Sequence, residues 1–427
     1  MAKFLVEGGT PLSGVIRPAG NKNEALPVLA ATLLTREEIR LSNMPGIGDV
    51  ETMLSLLEIC GAKIQREGAH EATLRTESVQ RTELPMELCR KIRASIVLLA
   101  PLLSRCGRVR LPFPGGDRIG RRRIDTHFQG LQALGAECQA ADGYYHVWRP
   151  KRLKGADILL DEASVTATEN LVMAAALAEG ITVLRNAASE PHVQQLCHLL
   201  NRLGARITGI GSNVVMIEGV EELHGGEHVI AADYLEVGSF IALAAVTNGE
   251  LTIQDAAPDY LRMILHRFDR LGVNVNIQGN HILVSKEQIL KIKPDLQASL
   301  VKIDDGPWPA FPADMTSIAT VLATQTEGAV MIFEKMFESR LFFVDRLISM
   351  GANIILCDPH RAVVVGPAPL RGQVMSSPDI RAGMALLIAA LCAEGSSEIQ
   401  NIEQIDRGYE NLDQRLARLG AKIRRVS

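Results

Sequence analysis

Leu203-Gly204-Ala205-Arg206-Ile207 is one of six versions of a single phrase in this chain. The others are Cys60-Gly61-Ala62-Lys63-Ile64, Leu134-Gly135-Ala136-Glu137-Cys138, Leu271-Gly272-Val273-Asn274-Val275, Met350-Gly351-Ala352-Asn353-Ile354 and Leu419-Gly420-Ala421-Lys422-Ile423. Each ends a helix-like stretch on an apolar residue, turns at glycine and enters a β-former. The copies recur roughly every 70 residues, a spacing that marks a repeat architecture. A second series, Gly107, Gly180, Gly249, Gly328 and Gly395, follows Ala/Leu-rich stretches and precedes strands. Glycine adopts the left-handed conformation that closes helices, so both series predict helix ends. The module reads helix, strand, helix, strand, copied six times.

A chain of 427 residues exceeds what one core usually supports. Six modules therefore divide as three and three, with the border near 228–233. Buried helices are expected at 25–34, 94–103, 168–179, 237–247, 314–324 and 380–394, where apolar faces are long and little interrupted. The second helix of each module (50–60, 126–134, 193–203, 260–271, 340–350, 409–419) carries more charge and is expected to face water. This arrangement makes each domain an α/β body.

The near balance of 45 basic and 49 acidic residues argues against a general nucleic-acid binder. Seven scattered cysteines without a C-x-x-C pair indicate neither a disulfide framework nor a zinc site, and fit a reducing cytoplasm. The first residues lack a signal-peptide hydrophobic run, and the most apolar helices are too short to span a bilayer. The expectation is a cytoplasmic protein without membrane, metal or nucleic-acid partners. Neither a G-x-x-x-x-G-K-[ST] phosphate loop nor a strand-linked G-x-G-x-x-G occurs.

Polar residues at the starts of the buried helices carry the functional signal: Lys22 and Asn23, Arg93, Ser164 to Thr168, Asp233 and Glu236, Asp314, and Asp379 with Arg381. Helix N-termini expose free N–H groups and partial positive charge, so a ring of them attracts anions. Asp and Ser at these places are also ordinary helix caps. Lys22, Arg93 and Arg381 are not, because a cation there is unfavourable without an anion nearby. They point to a bound phosphate or carboxylate. A further stretch, residues 111–125, holds two prolines, three glycines, Asp117 and four arginines. It reads as a mobile lid over an anionic substrate, with a solvated basic loop as the plain alternative.

Eight ordered motifs carry a resemblance to a known family over essentially the whole chain. They are Gly20-Asn-Lys22-Asn23-Glu-Ala-Leu-Pro27, Arg93-Ala-Ser95, Pro114-Gly-Gly-Asp-Arg-Ile-Gly120, Ser164-Val-Thr-Ala-Thr-Glu-Asn170, Ala310-Phe-Pro-Ala-Asp-Met315, Phe337-Glu-Ser-Arg340, Asp379-Ile-Arg381 and Ile405-Asp-Arg-Gly-Tyr-Glu410. The chain resembles the UDP-N-acetylglucosamine enolpyruvyltransferases, which share their fold with the shikimate-pathway enolpyruvyltransferase. The resemblance implies two inside-out α/β barrel domains, 22–231 and 1–21 with 232–427, and catalysis in the cleft between them. It implies transfer of the enolpyruvyl group of phosphoenolpyruvate to the 3'-hydroxyl of UDP-N-acetylglucosamine, with release of phosphate, as the first committed step of peptidoglycan precursor synthesis. No cofactor is implied.

By the same resemblance, Lys22, Arg93, Arg122, Arg381 and Arg407 enclose the anions of phosphoenolpyruvate. Asn23, Arg93, Arg122, Arg123, Ile124, Asp125, Thr126, Ser164, Val165, Thr166, Asp314 and Met336 contact the sugar nucleotide. Arg340 and Asp379 serve closure. Asp314 is the base for the hydroxyl, and Lys22 and Arg407 belong with it in the catalytic set. The family's proton donor to C3 is a lid cysteine, and this chain has Asp117 there. A carboxylate beside arginines donates a proton only if burial or substrate charge raises its pKa. Arg123 stands where Pro is usual, Glu162 where Lys is common, Tyr234 where Arg is common, and Gly48 where some members have Lys. A Lys-to-Glu change weakens diphosphate binding unless Arg123 restores the charge. Two other readings stay open: an enolpyruvyltransferase for another nucleotide such as UMP, and a non-catalytic sugar-nucleotide-binding paralogue.

Overall fold

The computed structural model describes residues 2–117, 119–296 and 300–426. By internal contacts they form two units: a first unit of 20–117 and 122–231, and a second of 2–19, 119–121 and 232–426. The grouping takes residues 20 and 21 with the first unit and lends 119–121, from the middle of the expected lid, to the second.

Each unit holds three buried helices. In the first they are Lys22–Ala31, Leu99–Cys106 and Val165–Ala176; in the second, Tyr234–Val246, Thr316–Thr324 and Ile380–Cys392. In five of them the side chains are almost wholly excluded from water and no amphipathic pattern is needed, whereas Leu99–Cys106 ends on half-buried Ser104, Arg105 and Cys106. Asn21, Asp233 and Asp379 cap three of them, each accepting two backbone N–H groups of the first turn. Pro101 has no N–H to donate, which places it in the first turn of Leu99–Cys106 and leaves Arg93–Leu98 as a 3-10 segment.

Among the described residues the strands form five sheets of four and one of three. Every four-stranded sheet repeats one pairing pattern, a parallel pair followed by two antiparallel ones. Asp157–Leu159, Ile181–Arg185, Val214–Glu218 and Arg206–Thr208 are an example. The sixth sheet, Arg108–Pro112, Tyr144–Trp148 and Glu137–Ala141, has a parallel bridge between Glu83 and Arg110 in place of the fourth strand. The six-fold repeat is thus visible in hydrogen bonding as well as sequence. The two-strand module was too simple: it placed strands such as Lys63–Arg66 and Val275–Gln278 after the first glycines but omitted their hairpin partners Ala72–Arg75 and His281–Val284, each only four residues long and preceded by no glycine of either series.

The N-terminal strands belong with the C-terminal half. Lys3–Glu7 is central in its sheet, between Ser396–Gln400 and Lys422–Val426. Ser13–Ile16 precedes the helix Lys22–Ala31 in the chain but pairs with Glu250–Ile253. Gly226–Val229 precedes Tyr234–Val246 but pairs with Glu38–Ser42. The first unit is therefore inserted within one module of the second.

All six glycines of the first series have positive φ. In the second series Gly249 does not: Asn248, at φ 55°, makes the left-handed turn. Gly249 is required for another reason, since a Cβ there would lie 2.0 Å from the Leu12 carbonyl oxygen. The second helices are not simply water-facing either. Gly48–Cys60 and Pro191–Arg202 each bury one full apolar face against the core.

Candidate active site

In the second unit the helix starts converge on one carboxylate. Asp314 sits in the 3-10 turn Ala313–Met315 that leads into Thr316–Thr324. Arg340 Nη2 donates to its Oδ1 at 2.9 Å, and Arg381 Nε donates to its Oδ2 at 3.1 Å. Both guanidiniums are buried, whereas the Asp314 side chain keeps 29% of its surface. An ionised carboxylate accepts through about four lone-pair sites, and the exposed part of Asp314 is where a substrate hydroxyl would reach it.

Arg381 is itself fixed from two sides. Its backbone N–H is capped by Asp379, and its Nη1 donates to Tyr409 Oη at 3.2 Å. Burial works against its charge, but Tyr409, Asp314 and Asp233 outweigh burial and hold its pKa well above the usual value. Burial also pushes Asp233 up to about 6, against the opposing charge of Arg381. Arg340 and Asp379, expected in closure, thus have work within this unit: Arg340 grips Asp314 and Asp379 caps the helix that carries Arg381. Arg407 closes the short helix Glu403–Asp406 and donates to Gln404 Oε1 at 2.8 Å. Met336 lies between the strand Gly328–Phe333 and Arg340, partly exposed.

In the first unit the cations differ in how their charge is met. Lys22 Nζ pairs with Asp49 Oδ2 at 2.8 Å, both buried. The anion that a cation at a helix start calls for is met for Lys22 and Arg381 by carboxylates of the protein itself, Asp49 and Asp314, from segments far off in sequence. Arg93 is different. Its Nη2 donates to the Arg122 carbonyl at 2.9 Å, and it makes no ion pair with a carboxylate among the described residues. Burial, and then the charge of Arg122, lower its pKa to about 10, so it remains charged at neutral pH and its charge is poorly compensated. An anion beside this pair would relieve both effects.

The lid residues are packed against Arg93. Gly115 passes so close to Arg90 that a Cβ would fall 1.7 Å from its carbonyl oxygen. Gly116, at φ 99°, leaves no room for a Cβ beside that of Arg93. The Gly-Gly pair has this packing reason in addition to any mobility. Asp117 is half-buried, and Arg122 Nη2 donates at 2.6 Å to its backbone carbonyl. Arg118 lies outside the described residues.

Arg123 pairs with Asp161 Oδ2 at 2.7 Å and with Asp125 Oδ2 at 3.3 Å, which hold it charged. The swapped arrangement expected for Arg123 and Glu162 therefore centres on Asp161, whereas burial pushes the Glu162 carboxyl up. Thr126 donates to the other oxygen of Asp161 at 2.7 Å. Ile124 is buried at the start of the helix Asp125–Ala133. Asn23 contributes its backbone N–H to the Asn21 cap, and Pro27 has no N–H to return to the Asn23 carbonyl. Ser164 starts the helix Val165–Ala176 and accepts from Thr168.

Sequence reasoning missed His127. Its ring bridges Thr166 Oγ1 at 3.0 Å and the Asn170 side chain at 2.9 Å, and Asn170 also ties down Ile96 and Ala100 in the segment that Arg93 begins. Burial, reinforced by Arg93, lowers the His127 pKa to about 3, so the imidazole is neutral. A histidine two residues past the lid was a signal, but its partners are about 40 residues away.

Among the described residues no group of three or more His, Cys, Asp or Glu is arranged to hold a metal ion, and no helix is long and apolar enough to cross a membrane.

The chain matches the family described as EPSP synthase (3-phosphoshikimate 1-carboxyvinyltransferase) over residues 6–416. It is 55% identical to the UDP-N-acetylglucosamine 1-carboxyvinyltransferase of Treponema pallidum (strain Nichols), covering 99% of each chain. It is 53% identical to the protein of that name from Bradyrhizobium diazoefficiens, covering 99% of this chain and 98% of the relative. Among solved structures, the enolpyruvyl transferase NikO from Streptomyces tendae superposes with a TM-score of 0.87 at 26% identity, covering 100% of this chain and 99% of that one. EPSP synthase from Acinetobacter baumannii has the same fold, with a TM-score of 0.77 at 16% identity over the whole of both chains. Full-length identity at this level, on a structure with the same mixed α/β sheets, establishes that the chain belongs to the enolpyruvyltransferases, in the family of the UDP-N-acetylglucosamine 1-carboxyvinyltransferases.

Proposed function

We propose that this protein transfers the enolpyruvyl group of phosphoenolpyruvate to the 3'-hydroxyl of UDP-N-acetylglucosamine, supplying a peptidoglycan precursor in the cytoplasm. The observation that carries the reading is the Asp314 carboxylate, gripped by Arg340 and Arg381 at a helix start with one edge exposed. In the proposed reaction Asp314 takes the hydroxyl proton as the oxygen bonds to C2 of phosphoenolpyruvate. C3 gains a proton, for which Asp117 is the proposed donor. Loss of a proton from C3 and cleavage of the C2–O bond then release inorganic phosphate and restore the double bond.

Arg93 and Arg122 are assigned to the substrate anions, supported by the poorly compensated charge of Arg93. Lys22, Arg381 and Arg407 complete the set. Asp49 neutralises Lys22 in the free protein, so substrate phosphate would compete with a carboxylate already in place. Asn23, Arg123 to Thr126, Ser164 to Thr166 and Met336 are assigned to the sugar nucleotide. Each unit is read as an inside-out barrel of three modules. Phosphate release from phosphoenolpyruvate, measured with UDP-N-acetylglucosamine, UMP, shikimate 3-phosphate or no acceptor, tests the reading. Release with the first acceptor supports it. Release with UMP instead transfers the activity to another nucleotide, and no release with any acceptor favours a binding paralogue.

A further inference from the structure

Behind Asp314 lies a second pair of carboxyl groups that the reaction does not require. Glu334 follows the strand Gly328–Phe333 and has no exposed surface; Asp305 follows Val301–Asp304 and is 1% exposed. These two residues stand at the roots of the two loops that matter. Residues 305–312 lead to Asp314, and 334–339 lead to Arg340. Both carboxyls hold the second of these loops, each through one oxygen. Glu334 Oε1 accepts from the Phe337 N–H at 3.1 Å, and Asp305 Oδ1 accepts from the Lys335 N–H. The backbone of Glu334 is fixed as well, by the His360 carbonyl and ring at 2.8 and 2.7 Å.

The remaining oxygens, Glu334 Oε2 and Asp305 Oδ2, are buried without a hydrogen bond of ordinary geometry among the described residues, and the Thr316 hydroxyl, equally unsatisfied, faces the Glu334 carboxyl. Arg340 Nε is likewise buried without an acceptor, 3.8 Å from Glu334 Oε2. Two adjacent buried carboxyl groups do not both ionise, because their charges repel at low dielectric. A single proton between them satisfies both oxygens at once. Arg340 is then opposed by a neutral acid on one side and by Asp314 on the other, which leaves its Nη2 with Asp314.

We propose that Glu334 carries a proton directed at Asp305, and that in this state Glu334 acts as a positioning residue that keeps Arg340 on Asp314. The proposal rests on the reading of Asp314 as the base. Burial pushes the Glu334 carboxyl up to about 8, with Arg340 opposing and Asp305 adding to the rise. The groups facing it are Arg340, Asp305 and Thr316, and Arg340 in turn faces Asp314, Asp379 and Arg381. Above pH 8 an ionised Glu334 competes with Asp314 for the guanidinium, and turnover should fall.

The test compares wild type with Glu334→Gln and Glu334→Ala. Gln stays neutral at every pH and donates from its amide to Asp305. Glu334→Gln is therefore expected to keep turnover at pH 7 and to lose the decline that wild type shows near pH 8. Glu334→Ala is expected to lose roughly 10²-fold in kcat, the scale of a small misplacement of a reacting group, with a smaller change in KM. Infrared spectroscopy gives a readout independent of activity: at pH 7 the protonated-carboxyl absorbance of folded Glu334→Gln is lower than that of folded wild type by one group, the part owed to other buried acids such as Glu169 being common to both. An identical alkaline limb in wild type and Glu334→Gln, or equal protonated-carboxyl absorbance in the two, overturns the proposal. Failure of the base reading is seen separately, as normal turnover in Asp314→Asn.

Discussion

Replacing Asp314 by Asn removes one negative charge from between two buried guanidiniums and leaves the shape unchanged. The Asn carbonyl oxygen can still accept from Arg340, but its NH2 then faces the Arg381 Nε–H, donor against donor. Breaking a fully buried ion pair costs about 3–5 kcal/mol, and Asp314 keeps 29% of its side-chain surface, so about 2–3 kcal/mol is the appropriate scale. For a unit of roughly 200 residues each kcal/mol moves Tm by about 2–4 °C, giving a fall of about 4–12 °C. Loss of the base should lower kcat by roughly 10²-fold or more. Calorimetry reads the first and continuous phosphate release the second, on the same preparation. A variant with kcat within threefold of wild type removes Asp314 from the chemistry. An unchanged Tm would show that the two arginines do not depend on its charge.

Three further outcomes are expected. Lys22→Ala and Arg407→Ala should each weaken use of phosphoenolpyruvate; kcat and KM unchanged in both would refute their assignment to the substrate anions. The resemblance implies that the epoxide fosfomycin alkylates a lid cysteine, and a carboxylate is a harder, weaker nucleophile than a thiolate. The natural protein should resist the drug and Asp117→Cys should remain active and be inhibited; mass spectrometry showing an adduct on the natural protein would contradict this. His127 has a folded pKa of about 3, below its ordinary 6.5, so between these values the unfolded chain takes up a proton that the folded chain refuses. Stability should be full above about pH 6.5 and decline as pH falls toward 3, and a folded His127→Gln variant that shows the same decline would exclude this histidine as its source.

The repeat was legible because its signals are local. A glycine that must turn left-handed, an apolar run that must be buried and a capping Asn or Asp each act within a few residues. The six buried helices fall where those signals placed them. The hairpin partners and parallel edge strands were not legible, since strands such as Ala72–Arg75 and Asp157–Leu159 are only three or four residues long and follow no glycine of either series.

The cations at helix starts were legible as unusual, but their partners were not. Asp49 lies 27 positions beyond Lys22, and Arg381 lies 67 positions beyond Asp314. Nothing in the spacing of the chain joins such pairs; packing of separate helices does. The same holds for the exchange of Ser13–Ile16 and Gly226–Val229 between modules, and for the neighbouring carboxyls Asp305 and Glu334. Residue order along the chain sets conformation over one turn of helix or a few residues of strand, where sterics and backbone hydrogen bonds act. Charge compensation at a buried site is settled only by tertiary packing, because it depends on which distant groups share the same water-excluded volume.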